Sequence, residues 1–403
     1  MEGDLALTAY FTEIPSVSTL YITTEGEKKI TSKKEYLSAA VRVDASIENY
    51  KTGELACRIR GHGNSSWDNF RTTKPSYRLK LEEKRSLLGI GSSPGKDYVL
   101  LSNHSDATML RNYTVLSFGK LLENISYVPS SKFVQLYLNG EYRGLYQLCE
   151  KIKTGGGRVE IDDKSSGGET DIGYLLELDK RAPDEKEKDN VFFLVDGLPI
   201  AVKSDGRSEA QLAFIKEYMT RFHNAVKAGD REAVDALADI PSIIDMFLLE
   251  EFSKERDAGF ASFYLIKEPG GKLRFSCPWD FDLSLGNDSM FRYPKGLVTE
   301  SDRANPWFAA LLRQDWFRAE VGERLREIAP RFDTLITDIT AMGELLRDPA
   351  ALDDKRWSIY GRRLLWEPDM VCFALHNYDE HLSYLLTWMR DRADWLIRKF
   401  DAA

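Results

Sequence analysis

With 403 residues, 43% apolar and 30% charged, the chain has the composition of a folded globular protein with ample material for a buried core, which excludes disorder as its native state. A net charge of -9 excludes a strongly basic nucleic-acid binder, because such proteins neutralise phosphates with clustered Lys and Arg. No run of 18 or more apolar residues occurs, so no membrane span is expected.

Cys57, Cys149, Cys277 and Cys372 are widely separated and form no CxxC pair, so each is expected to act as a small buried apolar residue rather than in a zinc site or disulfide framework. The start MEGDLALTAYFTEIP lacks the basic and apolar regions of a signal peptide. The compartment stays open, with export or cell-surface placement if a leader has been replaced.

From Thr19 to Leu101 short β-rich segments such as LYITTE, AVRVDASI and SYRLKLE alternate with polar turns. Asp106 to Leu122 then carries apolar residues at helical spacing, with Asp106 as its expected N-cap. In FVQLYLNGEYRGLYQLCEKI, Asn139-Gly140 between two alternating runs signals a hairpin. Gly173 to Leu178 reads as a further strand and 181–190 as a charged turn.

Beyond Ser208 the pattern becomes helical: Glu209 to Ala228, Arg231 to Ala238, Pro241 to Ser253, then several helices from Asn305, closing with Tyr378 to Phe400. One β insertion interrupts them, ASFYLIKEPGGKLRFSCPWDFD, turning at Pro269-Gly270-Gly271. The expected class is α+β, a single 403-residue domain with a β-rich lobe over 1–152 and a mainly helical lobe over 153–403. A kinase has this layout, and so do other α+β proteins.

In RIRGHGNSSW, Gly61, Gly63, Asn64 and Ser65 stand between two β segments, where bare backbone N–H groups and a hydroxyl could approach a phosphate. The same residues fit a plain hairpin turn. In KPSYRLKL, Arg78 and Lys80 share one face of a strand. A strand lysine beside a glycine turn can hold nucleotide phosphates, and it can equally be a solvated charge. Glu150, ending the last strand of the first lobe, is placed for a hinge or nucleotide contact, or for plain exposure.

Phosphoryl transfer needs one carboxylate to orient or deprotonate the attacking hydroxyl and others to hold a divalent cation. Asp257 fits the first role. Asp280, with Asp282 two positions on, fits the second, and the hairpin between would return Asp280 beside Asp257. Asp106 and Arg111 could pair with each other or with a group across a cleft. Two-carboxylate glycoside hydrolysis is the competing acid chemistry. Zinc, Ser-His-Asp and Walker A motifs are all lacking.

In order and spacing, RIRGHGNSSW, KPSYRLKL, NHSDATMLRN, VQLYLNGEYRGLYQLCEKI, GYLLELD, FSKERDAGFASFYLIK and PWDFDLSLGN resemble the CotH kinase family, from about Leu20 to Asn287. The resemblance implies a bilobal atypical protein-kinase fold, ATP with Mg²⁺ or Mn²⁺, and Ser/Thr phosphorylation of a protein substrate, with basic residues near the target. Asp257 would be the catalytic aspartate, Asp280 the metal-binding one, and Lys80 would face the phosphates; Asp282, Arg111, Asn64 and Ser65 follow, while Trp67 and Trp279 pack the site. A monomer is expected. The sequence departs from the pattern at Ser262, five positions after Asp257, where a metal-ligating Asn is usual, and at Glu255, where Asn is common. A nucleotide-binding pseudokinase acting as a surface or adhesion protein is the alternative those departures leave open.

Overall fold

A computed structural model describes residues 17–63, 67, 74–165, 168–184, 191–205, 207–361 and 373–401. Asn64, Ser65 and Cys372 lie outside these residues.

Seven strands form a closed barrel: β1 (Ser18–Thr24), β2 (Leu37–Asp44), β3 (Leu55–His62), β4 (Ser76–Arg85), β5 (Gly95–Leu101), β6 (Ser131–Leu138) and β7 (Glu141–Glu150), in the order β1-β2-β3-β4-β5-β7-β6. The β-rich first part is as expected, but it is a closed barrel and not the kinase-like lobe expected from the sequence. β1 pairs antiparallel with β2 and parallel with β6, so no strand edge is left unpaired. Asn139 and Gly140 both take positive φ in the β6–β7 turn, and the Asn139 side chain accepts a hydrogen bond from Thr24 N at 2.8 Å, tying the hairpin to β1. Ile59, Leu79, Leu81, Tyr98 and Leu100 point inward into the barrel core. The alternating residues Arg58, Arg60, Arg78, Lys80 and Asp97 therefore lie on its outer wall. Each buried Leu or Ile there contributes about 1.5–3 kcal/mol.

α1 (Arg111–Leu121) is inserted between β5 and β6. It starts later than expected, because Asp106 does not begin a helix. Its carboxylate instead accepts from Thr108 N at 2.9 Å and Arg111 N at 2.8 Å, bridging a turn before the helix.

After the barrel comes a five-stranded antiparallel sheet, β12-β11-β8-β10-β9, from β8 (Tyr174–Leu178), β9 (Phe192–Val195), β10 (Leu198–Val202), β11 (Phe263–Lys267) and β12 (Leu273–Ser276). The helices are α2 (Glu209–Ala228), α3 (Arg231–Leu237), α4 (Ile240–Ser253), α5 (Pro306–Leu311), α6 (Asp315–Trp357) and α7 (Tyr378–Phe400). Every α4 residue except Pro241 is buried, as expected of a helix that is apolar nearly all round. A mixed α+β architecture, β-rich first and helical later, is thus present. Among the described residues no helix is long and apolar enough to cross a membrane. Cys57, Cys149 and Cys277 are buried free thiols.

A fully buried ion pair joins barrel and helices. Lys74 Nζ lies 2.8 Å from Asp353 Oδ1 of α6, and neither side chain is exposed. Lys74 also donates to Leu145 O at 2.6 Å, while Asp353 accepts from Leu145 N at 2.7 Å. Gly144, at φ 104°, permits this approach, because a Cβ there would collide with Asp353 Oδ1.

Candidate active site

α4 ends at Lys254, whose left-handed backbone turns the chain out of the helix. Its ammonium donates to Tyr293 O at 3.0 Å and Lys295 O at 2.6 Å. Just before it, Glu251 accepts from Val298 N at 3.0 Å and Thr299 N at 2.8 Å, and pairs with the buried Arg392 of α7 at 3.0 Å. Arg392 also donates to Pro294 O and Gly296 O at 2.9 and 2.7 Å. This framework fixes the segment Glu255–Asp257.

Asp257 follows in a turn closed by Phe260 N and Ala261 N donating to its carbonyl at 2.7 and 2.9 Å. Its own N–H donates to Glu255 Oε1 at 3.0 Å. Arg256, between them, pairs with the buried Asp288 at 2.5 Å and reaches the Asp257 carboxylate only at 4.0 Å, and that carboxylate is partly exposed.

The β11–β12 hairpin then brings Asp280 back to the same place. Phe281 N donates to Asn112 Oδ1 of α1 at 2.7 Å, Arg111 Nε donates to Ser284 O at 3.1 Å, and Ser105 donates its hydroxyl proton to Asp282. Arg111, paired with Asp106, is thus a buried brace for this segment rather than a surface charge. Among the described residues, five of the twelve non-glycine positions with positive φ are Lys254, Ser262, Cys277, Asp280 and Leu285. Backbone strain is therefore concentrated around the two aspartates, as is common where side-chain placement serves a site.

The electrostatics are those of crowded carboxylates. Asp280 is exposed at its outer side yet crowded by protein on the other; desolvation, then Asp282 and Asp257, raises its carboxyl above the usual range, with Arg181 opposing. Asp282 is raised too, first by burial, and its bond from Ser105 opposes the rise. Burial, then Asp257 and Glu250, raises Glu255 well above the carboxylate range, and its Oε2 has no hydrogen-bond partner among the described residues.

Glu250 provides a test of this burial. Burial first and Glu251 second push its carboxyl from 4.5 to about 8. Folded, it holds a proton that the unfolded chain loses near its ordinary value, so stability falls as pH rises through that window. Melting temperature is expected to drop between about pH 5 and 8, and Glu250→Gln to flatten the slope. An unchanged slope in that variant would remove Glu250 from the account.

The geometry brings together Asp257, Asp280, Asp282 and Ser262, whose hydroxyl is 3.5 Å from Asp280 Oδ2. Other candidates stand apart. Arg78 and Lys80 lie on the outer barrel wall, and among the described residues Lys80 forms no ion pair although Asp97 is its cross-strand neighbour. Gly61 is packed beneath the Trp67 indole, which would collide with any Cβ there, so its identity has a packing reason; Gly63 takes φ 91°. Glu150 is buried, accepts from Ser130 N at 3.0 Å and faces Arg158 at 3.8 Å, so its carboxylate is committed to the barrel end.

Residues that sequence reasoning passed over complete the site. Glu177 of β8 is buried, pairs with Lys203 at 2.8 Å and accepts from Ser262 N at 3.1 Å. Arg181, held by Asp179 at 3.3 Å, is the cation acting on Asp280. The usable signal was GYLLELDKR, with two acids on one face of a strand end followed by a basic pair.

The family model described as CotH kinase protein matches residues 58–396. The chain belongs to the CotH kinase family. A search of curated proteins finds no match to it.

A divalent cation fits this donor set. Among the described residues no three His, Cys, Asp or Glu side chains converge to hold a metal unaided. Mg²⁺, however, is usually held by one or two carboxylates plus substrate phosphates and water, and Asp280 with Asp282 supplies such a pair. Ser262, at φ 59°, is the weak member, a neutral hydroxyl in a left-handed conformation. Asn tolerates that conformation and offers a better oxygen ligand. Ser262→Asn is expected to lower the Mg²⁺ concentration needed for half-maximal nucleotide binding by about threefold or more. A Mg²⁺ titration with labelled ATP checks this, and an unchanged midpoint would remove Ser262 from the metal's surroundings.

Proposed function

We propose that this CotH-family protein is an atypical protein kinase that transfers the γ-phosphoryl group of ATP to a Ser or Thr of a protein substrate. The observation that carries the reading is the gathering of Asp257, Asp280 and Asp282 at one place, with Ser262 Oγ 3.5 Å from Asp280 Oδ2 and Arg181 as an opposing cation, a carboxylate group suited to a divalent cation through which a phosphate would be held.

Asp257 orients the substrate hydroxyl and accepts its proton. The hydroxyl oxygen bonds to the γ-phosphorus as the bond to the β,γ-bridging oxygen breaks, and ADP departs with that electron pair. Asp280 and Asp282, with Ser262, would hold Mg²⁺ or Mn²⁺, which supplies charge neutralisation at the phosphates. The family resemblance would give Arg78 and Lys80 on β4 to the phosphates, although both stand on the outer barrel wall apart from the three aspartates. Arg111 and Ser105 position Asp280 and Asp282 without touching the reacting atoms.

Incubation of the chain with γ-labelled ATP, Mg²⁺ or Mn²⁺ and a basic serine-rich peptide tests the reading. Label in the peptide is the expected result. Absence of label with either metal, while ATP still raises the melting temperature, would favour a nucleotide-binding pseudokinase. The neutral Ser262 at the position of a usual Asn ligand is the feature that supports this second reading.

A further inference from the structure

The helical part holds a cavity of about 690 Å³ between the segment 297–304, α5, the start of α6 and the end of α7. Small-molecule sites have volumes of about 300–1,000 Å³. Leu297, Ala304, Ala309, Leu312 and Phe400 give it an apolar lining, and Arg313, Arg318 and Lys399 add three cations against one acid, Glu300. Arg318 is already engaged, by Leu312 O at 2.8 Å and by Asp315. Lys399 lies 3.8 Å from Glu300, beyond hydrogen bonding, and Arg313 forms no ion pair or side-chain hydrogen bond among the described residues. Both are exposed, so two poorly matched positive charges stand at the water side of an apolar cavity.

The lining touches the backbone around Asp257. Thr299, in the lining, donates its N–H to Glu251 Oε1 at 2.8 Å, and its hydroxyl bonds the same carboxylate. Ala304, also in the lining, places its carbonyl against Gly259, where a Cβ would sit 2.3 Å from that oxygen. Asn305 then donates its side-chain amide to Ala258 O at 3.0 Å. Ala258 and Gly259 lie within the turn that Phe260 N and Ala261 N close on the Asp257 carbonyl. A molecule that fills the cavity therefore bears on the segment 297–305 and, through it, on the turn carrying Asp257.

We propose that this cavity binds a small amphipathic carboxylate, and that the bound molecule stiffens the segment holding the Asp257 turn. Its apolar body displaces water from Leu297, Leu312 and Phe400, while its head meets Arg313 and Lys399 at the rim. A wholly polar anion gains only the rim contacts, which water and salt screen. A neutral apolar molecule leaves both cations unmatched. None of the described lining residues belongs to the aspartate site. One consequence does rest on the kinase reading: a stiffened turn makes the carboxylate an activator of transfer.

Calorimetry on the full chain tests the site with decanoate, below its micelle-forming concentration, beside acetate and decanamide. Each buried methylene is worth about fourfold in affinity, so acetate should bind at least about a hundredfold more weakly. Decanamide should bind about threefold or more weakly. Arg313→Gln and Lys399→Met should each weaken decanoate about threefold, and together about tenfold. The control Lys84→Met, on an exposed part of β4, should bind as the parent does. Ala309→Trp fills the cavity and should abolish binding. Arg313 and Lys399 are exposed, so their variants should melt near the parental temperature and lost binding is not misfolding. Saturating decanoate should slow amide hydrogen exchange at Val298, Thr299, Phe260 and Ala261 by about threefold or more, and raise γ-label transfer by a similar factor.

Absence of decanoate binding, or parental binding in Ala309→Trp, overturns the site. Binding with unchanged exchange at Phe260 and Ala261 overturns its coupling to Asp257, and slowed exchange with unchanged transfer overturns the activating role. Failure of the kinase reading looks different. If no phosphate is transferred yet decanoate binds and slows exchange, the cavity stands and catalysis falls. If phosphate is transferred but decanoate does not bind, catalysis stands and the cavity falls.

Discussion

Asp257→Ala is expected to reduce phosphoryl transfer by about 10³-fold or more while changing nucleotide affinity only a few-fold. General-base assistance supplies about 10²–10⁴-fold, and a kinase loses hydroxyl positioning along with it. Local structure should survive the change. Among the described residues the partly exposed carboxylate makes no hydrogen bond and only a 4.0 Å contact with Arg256, whereas the turn is closed by the Asp257 carbonyl and the Arg256–Asp288 pair. Removing the charge also relieves repulsion on Asp280, so metal-nucleotide binding should not suffer. Asp280→Ala is expected to differ by weakening metal-nucleotide binding as well as transfer. Single-turnover transfer of γ-label, measured beside nucleotide binding, separates the two. Transfer at the parental rate by Asp257→Ala would end the role assigned to that residue.

The largest loss of stability is expected at the pin between barrel and long helix. Asp353→Ala strands a fully buried ammonium and deprives Leu145 N of its acceptor. Breaking one partner of a buried pair costs about 3–5 kcal/mol, because the remaining charge has no compensation. Burial already pushes Lys74 down and Asp353 up, each held back by the other. The double change Lys74→Met with Asp353→Leu should recover only part of the loss. It removes both charges but leaves the Leu145 N–H and C=O buried without partners, at about 1–3 kcal/mol each. Urea unfolding of the three variants gives the numbers. A loss below about 1 kcal/mol in Asp353→Ala would mean that the pair is not buried in solution as it is here.

Features with local causes were the legible ones. Glu209–Ala228 could be bounded because Ser208 and Gln211 form a capping box and Gly229 ends the helix in the left-handed region. The hairpin returning Asp280 was visible in Pro269-Gly270-Gly271 between two β runs. α6 was not visible as one helix, since Pro330 and Pro349 read as breaks although packing against β7 and α7 carries it through. The β9–β10 hairpin was missed even though Asp196-Gly197 takes the same pair of positive φ angles as Asn139-Gly140. Barrel closure depends on a parallel pairing between β1 and β6, more than a hundred positions apart, for which no local pattern exists. Distance in sequence likewise hid Glu177, Arg181 and Ser105 from any reading centred on Asp257.

The bond from Arg392 to Glu251 spans 141 positions and ties the helix before the reactive segment to α7. Chains emerge from the ribosome N-terminus first, and domains generally fold as units in that order. The barrel strands are therefore made early, whereas Glu251 and the 293–299 strap lack their anchoring cation until α7 has been synthesised and docked. The segment bearing Asp257 is accordingly the last to be tensioned, and a nascent chain holds that aspartate slack until synthesis has passed Arg392.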